Sequence, residues 1–445
     1  MSLSPSVLAA LERSRCANRP VATGRIVAVE GLALEVVGLR AAVGETCTVE
    51  TSAGIRVPAE VIGFRGDSTM LMPLGAREGM ACHDRVEHVG RVWRVPTGPS
   101  LLGRVIDALG RPLDGKPTPV GVERPLFASP PPALSRPPID QRLHTGVSAI
   151  DGFLTCGRGQ RMGIFAGSGV GKSTLLASIA RGSSADVNVI ALIGERGREV
   201  NEFLHDVLGV EGMARSVVVV STSDTSPMLR LKGAFTAMTM AESFRDAGKH
   251  VLLVMDSVTR FALAAREVGL AAGEPPTLRG YPPSLFAMMP GIVERMGTAA
   301  RGSITGLLTV LVEGDDMNEP VADALRGYLD GHIVLSRDIA ARGRFPSIDV
   351  LASISRVMDR VTTPQHRSSA RSVRRLLAHW YENRDLVSVG AYRKGTDALL
   401  DEALAKIDRI DQLLYHGRES RSEEQTLALL VELAGVANVP WGGAS

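Results

Sequence analysis

Residues 163–176 read GIFAGSGVGKSTLL. An apolar run enters a glycine-dense turn, the turn ends in Lys172-Ser173, and a second apolar run follows. Glycines let the backbone curl so that several N–H groups point at one anion. A helix after the turn adds its positive N-terminal end. In such a loop Lys172 reaches the β/γ-phosphates of a nucleotide and the Ser173 hydroxyl coordinates Mg²⁺. The strict phosphate-loop pattern begins with Gly, and Ala166 stands in that place here. The reading therefore rests on context, a strand before and a helix after. The candidate nucleotide contacts are Gly167, Ser168, Gly169, Val170, Gly171, Lys172, Ser173 and Thr174.

A phosphate loop of this kind needs an acidic residue at the end of a buried strand to hold Mg²⁺. HVLLVMDS at 250–257 supplies five apolar residues from Val251 and then Asp256. No Asn-Lys-x-Asp stretch occurs, so guanine selectivity is not indicated. The chemistry also needs a group that orients the attacking water. VIALIGERGREV at 189–200 places Glu195 just past an apolar strand. In a parallel sheet the strand C-terminal ends converge on the ligand crevice, which makes Glu195 the candidate base.

Around this centre the pattern predicts an α/β domain. Strand-like runs at 162–166, 187–193, 216–220, 250–255 and 304–312 alternate with helix-like ones. That rhythm predicts a parallel sheet buried on both faces. Upstream, between Val21 and Val95, β-branched runs alternate with Gly, Asp and Ser turns every eight to twelve residues. This spacing predicts a small antiparallel barrel, with a sandwich as the other reading. PLFASPPPALSRPP at 125–138 reads by composition as a stiff linker or surface arm. After about Pro364 the β signal fades. TDALLDEALAKIDRIDQLL at 396–414 puts Leu400, Leu404, Ile407, Ile410 and Leu414 on one helical face, with Gly417 as a stop. SEEQTLALLVELAG at 422–435 carries a capping-box pattern, Ser422 and Gln425, and ends at Gly435. Ser4-Pro5 before SVLAALE predicts a short helix over about 4–16, with apolar Val7, Leu8 and Leu11.

Composition narrows the function class. Of 445 residues, 44% are apolar and 22% charged, as in ordinary globular proteins. The net charge of +2 and the 4% aromatic content give no nucleic-acid footprint. Cys16, Cys47, Cys82 and Cys156 form no CxxC pair, which points away from zinc and disulfides and toward a reducing cytosol. The first residues lack the pattern of a secretory signal, and no uncharged apolar stretch approaches 18 residues.

Several stretches occur in a familiar order: GRVIDALGRPLDGKP, GIFAGSGVGKSTLL, ALIGERGREVNEF, VLLVMDSVTRFA, GEPPTLRGYPPSLFA, GSITGLLTVLVEGDD, DGHIVLSR and FPSIDVLASISRVM. Over about 24–430 the chain resembles the export ATPases of type III secretion, relatives of the rotary ATP synthase β subunit, with the flagellum-specific branch nearest. The resemblance implies an N-terminal β-barrel, a central RecA-like P-loop domain with a parallel sheet, and a C-terminal helical domain. The corresponding division is 1–20, 21–95, 96–365 and 366–445, with the proline-rich arm inside the nucleotide domain. It implies a homohexamer with ATP and Mg²⁺ held between neighbours. Lys172, Ser173 and Asp256 match the phosphate and Mg²⁺ positions, and Glu195 matches the catalytic glutamate. Arg196 and Arg260 match arginines facing the γ-phosphate from the same subunit. Phe345 matches an aromatic that stacks on adenine, with core packing as its other reading. Arg356 matches an arginine finger from the neighbour.

VGAYRKGTD at 389–397 is basic where the rotary β subunit carries an acidic loop, which favours the secretion branch. Ala391 stands where injectisome members often carry Glu, which favours the flagellar side. The implied function is ATP hydrolysis that unfolds export substrates and releases them from chaperones. The implied partners are a stator protein on the N-terminal helix, a central stalk protein, the membrane export gate, and export substrates with their chaperones, but no nucleic acid. The implied location is cytoplasmic, docked at the membrane. Two other readings are an injectisome ATPase and a hexameric RNA translocase resembling the terminator Rho. The second needs an aromatic, basic RNA surface, whereas 24–95 holds only Phe64 and Trp93. A non-catalytic ring subunit would carry Gln in place of Glu195.

Overall fold

The computed structural model describes residues 22–312, 314, 316–417 and 421–435. The helix expected over 4–16, together with Cys16, lies outside the described residues. The chain forms two compact units. Among the described residues, one comprises those up to Trp93 with Ser226–Met228 and Glu267–Pro275, and the other comprises the remaining described residues.

In the first unit six strands close into an antiparallel barrel. They are β1 (Thr23–Glu30), β2 (Ala33–Val37), β3 (Glu45–Glu50), β4 (Arg56–Arg65), β5 (Ser68–Pro73) and β6 (Arg85–Val92), in the order β1-β2-β5-β4-β3-β6. Alternation decides the interior: Ile26, Leu34, Val36, Cys47, Val49, Val61, Leu71 and Val86 fill it. Arg25, Val27 and Val29 on β1 face outward. Closure leaves no free strand edge, and it resolves the choice between barrel and sandwich in favour of the barrel.

The second unit is built on a nine-stranded sheet. Its main path uses β7 (Arg104–Asp107), β8 (Arg161–Ala166), β9 (Val187–Ile193), β10 (Ser216–Ser221), β11 (His250–Asp256), β12 (Ser303–Leu311), β13 (Gly331–Leu335) and β14 (Ile348–Ser355). The spatial order is β14-β13-β8-β12-β11-β9-β10-β7, with the two-residue strand Gly297–Thr298 paired off this path. All neighbours on the path run parallel except β13 and β14. The middle strands are buried on both faces, which is why their sequences are continuous apolar runs.

Helices cover this sheet. Helix α1 (Lys172–Gly182) follows the phosphate loop and buries Leu175, Leu176 and Ile179. Two more are α2 (Pro227–Asp246) and α3 (Val258–Ala271). The C-terminal helices are α4 (Pro364–Ser388), α5 (Ala398–Leu414) and α6 (Glu423–Ala434). Each starts at a side-chain cap: Thr363 accepts from His366 N, Asp397 from Leu399 N and Leu400 N, and Ser422 from Gln425 N. The Ser422–Gln425 capping box forms, and Gly435 ends α6 in the left-handed conformation. On α5, Leu400, Ile410 and Leu414 are buried while Leu404 and Ile407 are half-buried. Leu376, Ile410, Leu414 and Leu430 share one core with Ile164, Leu192 and Val254 of the sheet.

Composition misled at 125–138. The proline-rich arm is no linker but lies on the nucleotide unit. Arg295 Nη1 donates to Leu126 O at 2.8 Å, and the Arg136 guanidinium donates to Glu294 O at 2.6 Å. Prolines leave carbonyls without competing N–H groups, and long arginines reach those carbonyls. Among the described residues Cys47, Cys82 and Cys156 are free thiols. No described helix is long and apolar enough to cross a membrane.

Candidate functional site

The phosphate loop connects β8 to α1. Gly169 and Gly171 adopt φ values of 77° and 85°, where a side chain would be strained. Gly167 answers to a different demand, since a Cβ there would sit 2.5 Å from Arg337 Nε. Ala166 is tolerated because position 166 is still strand: it pairs with Leu335 and Leu311, and its carbonyl accepts from Val312 N at 3.1 Å. Val170 is buried, and its carbonyl accepts from Ser347 Oγ at 2.6 Å, fixing the loop from β14's side.

The loop borders two cavities. The larger, about 670 Å³, is lined by the loop itself, Lys172, Ser173, Thr174, Glu195, Arg196 and Arg260. The smaller, about 380 Å³, is walled by Val147, Leu175, Phe345, Pro346 and His416. Gly169, Gly171 and Thr174 line both. One compartment is thus polar and charged, and the other is apolar with an aromatic ring beside the loop. Together they suit a triphosphate joined to a planar base. Phe345 is 38% exposed, so it is not a core residue, and a Cβ on Gly171 would lie 3.1 Å from its ring.

Three strand ends supply the chemistry. Lys172 Nζ is ion-paired with Asp256 and lies 3.6 Å from Glu195 Oε1. Asp256 ends β11, and the Thr309 hydroxyl on the adjacent β12 donates to its Oδ1 at 2.7 Å. Burial pushes the Glu195 carboxyl up to about 7. Lys172 pulls it down, while the Asp256 charge and a hydrogen bond with Glu199 add to the rise. A carboxyl raised to about 7 that faces the loop lysine can serve as a general base.

Not every candidate arginine stands in the same place. The stem of Arg260 packs on Gly194, and its head lines the larger cavity. Arg196 lines it too, but is largely exposed and pairs with Glu199 at 3.5 Å. Arg356 lines neither cavity and is exposed. Its neighbour Ser355 pairs with Gly331, at the opposite end of β13 from the Leu335 that sits beside Ala166. Four strand residues make that separation about 13 Å. Arg356 therefore lies at the end of the strand far from its own phosphate loop.

Sequence reading missed Thr309 and Arg337. Thr309 had a signal, a hydroxyl in the middle of a buried apolar strand that must find a partner. Arg337 had none, because its place over Gly167 is set by long-range packing.

A phosphate loop at the end of a parallel strand, a buried strand-end aspartate and a near-neutral carboxyl facing the loop lysine define a P-loop nucleoside triphosphatase. The nucleotide-binding domain of the ATP synthase alpha/beta family matches residues 146–355. The C-terminal domain of the type III secretion ATPase EscN matches residues 362–432. The chain belongs to the family of flagellum-specific and type III secretion ATPases. It is 49% identical to the flagellum-specific ATP synthase of Bacillus subtilis (strain 168), over 93% of this chain and 95% of that one. It is 50% identical to a type 3 secretion system ATPase of Xanthomonas euvesicatoria, over 92% of this chain and 93% of that one. The assembled ATPase EscN of enteropathogenic E. coli superposes with a TM-score of 0.88 at 45% identity, covering 92% of this chain and all of that one. EscN with its central stalk EscO gives 0.86 at 44%, with the same coverage. Relatives from the two branches are equally similar, so identity does not separate a flagellar from an injectisome member.

Proposed function

We propose that this chain hydrolyses Mg-ATP to energise type III protein export. The observation that carries this reading is the half-buried Glu195 carboxyl, 3.6 Å from the Lys172 ammonium at the wall of one cavity. Backbone N–H groups of the loop and Lys172 bind the β- and γ-phosphates. Ser173 and Asp256 would hold Mg²⁺. The donor set fits, because Ser173 is exposed at the start of α1 and Asp256 is aimed by Thr309. No described cluster of three His, Cys, Asp or Glu could hold a metal alone, so phosphate oxygens would complete the shell. When bound, the metal neutralises charge on the phosphate oxygens. Glu195 takes a proton from the attacking water. The oxygen of that water bonds to the γ-phosphorus as the bond to the β–γ bridging oxygen breaks, and ADP leaves with that electron pair. Arg260 and Arg196 approach the γ-phosphate from the same subunit. Arg356 reaches it from a neighbour, where such a finger supplies about 10³–10⁵ in rate. Phe345 stacks on the adenine.

The trans position of Arg356 calls for a ring, here a homohexamer around a central stalk protein. The work is unfolding export substrates and releasing them from chaperones at the membrane export gate. The ATPase stays on the cytoplasmic side, with residues 4–16 held by a stator protein. Purified protein should hydrolyse ATP in a Mg²⁺-dependent way and enlarge on a sizing column with a non-hydrolysable ATP analogue. A chain that neither hydrolyses ATP nor binds the analogue refutes the reading. Expression in strains lacking a flagellar or an injectisome ATPase would tell the two branches apart, since only the matching machine regains export.

A further inference from the structure

The loop carrying Phe345 is gripped from the helical side. Arg344 Nη2 pairs with Asp411 Oδ2 of α5 at 2.5 Å. The same guanidinium lies over the Tyr415 ring, 5.4 Å from its centroid. The Gly417 N–H donates to Phe345 O at 2.8 Å. Tyr415 in turn lies beside Tyr381 of α4. Three contacts of different kinds thus join two adjacent loop residues to one short stretch at the end of α5.

That stretch is also a wall of the apolar cavity, since His416 and Gly417 line it opposite Thr174 and Leu175. His416 is fixed in turn, because its Nε2 accepts from Ser148 N at 3.1 Å. Phe345 itself presents its ring to solvent and to the loop. It is 38% exposed and stands beside Gly171, which offers no side chain to pack against. An aromatic ring that stacks on a base does so best when its backbone is already fixed, because ordering it on binding costs affinity. An arginine whose head is paired and stacked is a rigid tether.

We propose that Arg344 is a positioning residue for the nucleotide base: through Asp411 and Tyr415 it ties the Phe345 loop to the end of α5. The inference rests on Phe345 being the base-stacking residue. It makes the helical domain part of the base site, so that a shift of α5 moves Phe345 and changes nucleotide affinity.

The test is steady-state ATP hydrolysis by the full chain, with inorganic tripolyphosphate as a competitive inhibitor that carries no base. Arg344→Ala should raise KM for ATP about five- to tenfold, the size expected for losing one half-exposed ion pair and one cation–π contact. It should leave kcat and the tripolyphosphate inhibition constant within about twofold. Arg344→Lys keeps the ion pair and should recover at least half of the loss. Asp411→Asn preserves shape and should reproduce most of it, and adding it to Arg344→Ala should cost little more. Phe345→Ala is the control on the base site. If Phe345→Ala raises KM and Arg344→Ala and Asp411→Asn do not, the tether is overturned and the base site stands. If Phe345→Ala leaves KM unchanged, the base-stacking reading itself fails. A rise in KM matched by an equal rise in the tripolyphosphate constant also overturns the tether, because the effect then lies at the phosphates.

Discussion

Glu195 Oε1 lies 3.6 Å from Lys172 Nζ, and the same ammonium is paired with Asp256. The loop lysine thus stands between the buried Asp256 and the half-buried Glu195. Its replacement removes the charge that neutralises the β/γ-phosphates and also leaves those carboxylates uncompensated. Lys172→Ala should abolish ATP hydrolysis in a phosphate-release assay. Near-normal turnover would sink the phosphate-loop reading.

The raised Glu195 carboxyl predicts a pH-dependent cost to stability. Its folded value, about 7, stands above the ordinary 4.5 because burial disfavours the charge. The folded state therefore holds this proton more tightly than the unfolded state does. The group's favourable contribution is fully present below about pH 4.5 and is lost as pH rises through 7. Glu195→Gln is neutral at every pH. In nucleotide-free protein its melting temperature should gain on the wild type between pH 5 and pH 8. A gap that stays constant over this range would show that Glu195 is not held near neutrality.

Thr309 reaches Asp256 across two adjacent strands, its hydroxyl 2.7 Å from Oδ1. Outer groups of this kind aim a metal-holding carboxylate and are worth about 10–100-fold in metal affinity. Thr309→Val should raise the Mg²⁺ concentration for half-maximal ATPase activity about tenfold at saturating ATP. An unchanged Mg²⁺ titration would mean that Asp256 is oriented by other contacts or is not the metal ligand.

Arg356 sits at the far end of β14 from its own phosphate loop, so the proposed finger would act on a second subunit's nucleotide. Arg356→Ala and Lys172→Ala should each be inactive alone. Mixed together, they should recover part of the activity, because some interfaces join an intact loop to an intact arginine. Mixed rings of proven composition that stay inactive would remove Arg356 from the interface.

Local signals made much of this molecule legible. The five strand-like runs became β8 to β12 within a residue or two, because a two-sided buried strand must be an unbroken apolar run. The capping box at Ser422 and the stop at Gly435 formed as their side chains require. Lys172, Glu195 and Asp256 could be placed because strand ends in a parallel sheet converge. What stayed hidden depends on contacts far apart in the chain. The hydrogen bond from Thr309 to Asp256 spans 53 positions, and the pair Arg344–Asp411 joins a sheet loop to a helix of the C-terminal region. At Pro125 to Pro138 composition reports stiffness and is silent on the arginines that pin the arm, and only the family resemblance put the arm inside the nucleotide domain.

The most direct test of the central claim, hydrolysis of ATP by water that Glu195 activates, separates binding from chemistry in Glu195→Gln. ATP affinity is measured by equilibrium binding and hydrolysis by single turnover on the same preparation. The account predicts a dissociation constant within a few-fold of wild type and a hydrolysis rate at least about a hundredfold lower, as for loss of a general base. A rate within tenfold of wild type, or binding and hydrolysis lost together, would contradict it.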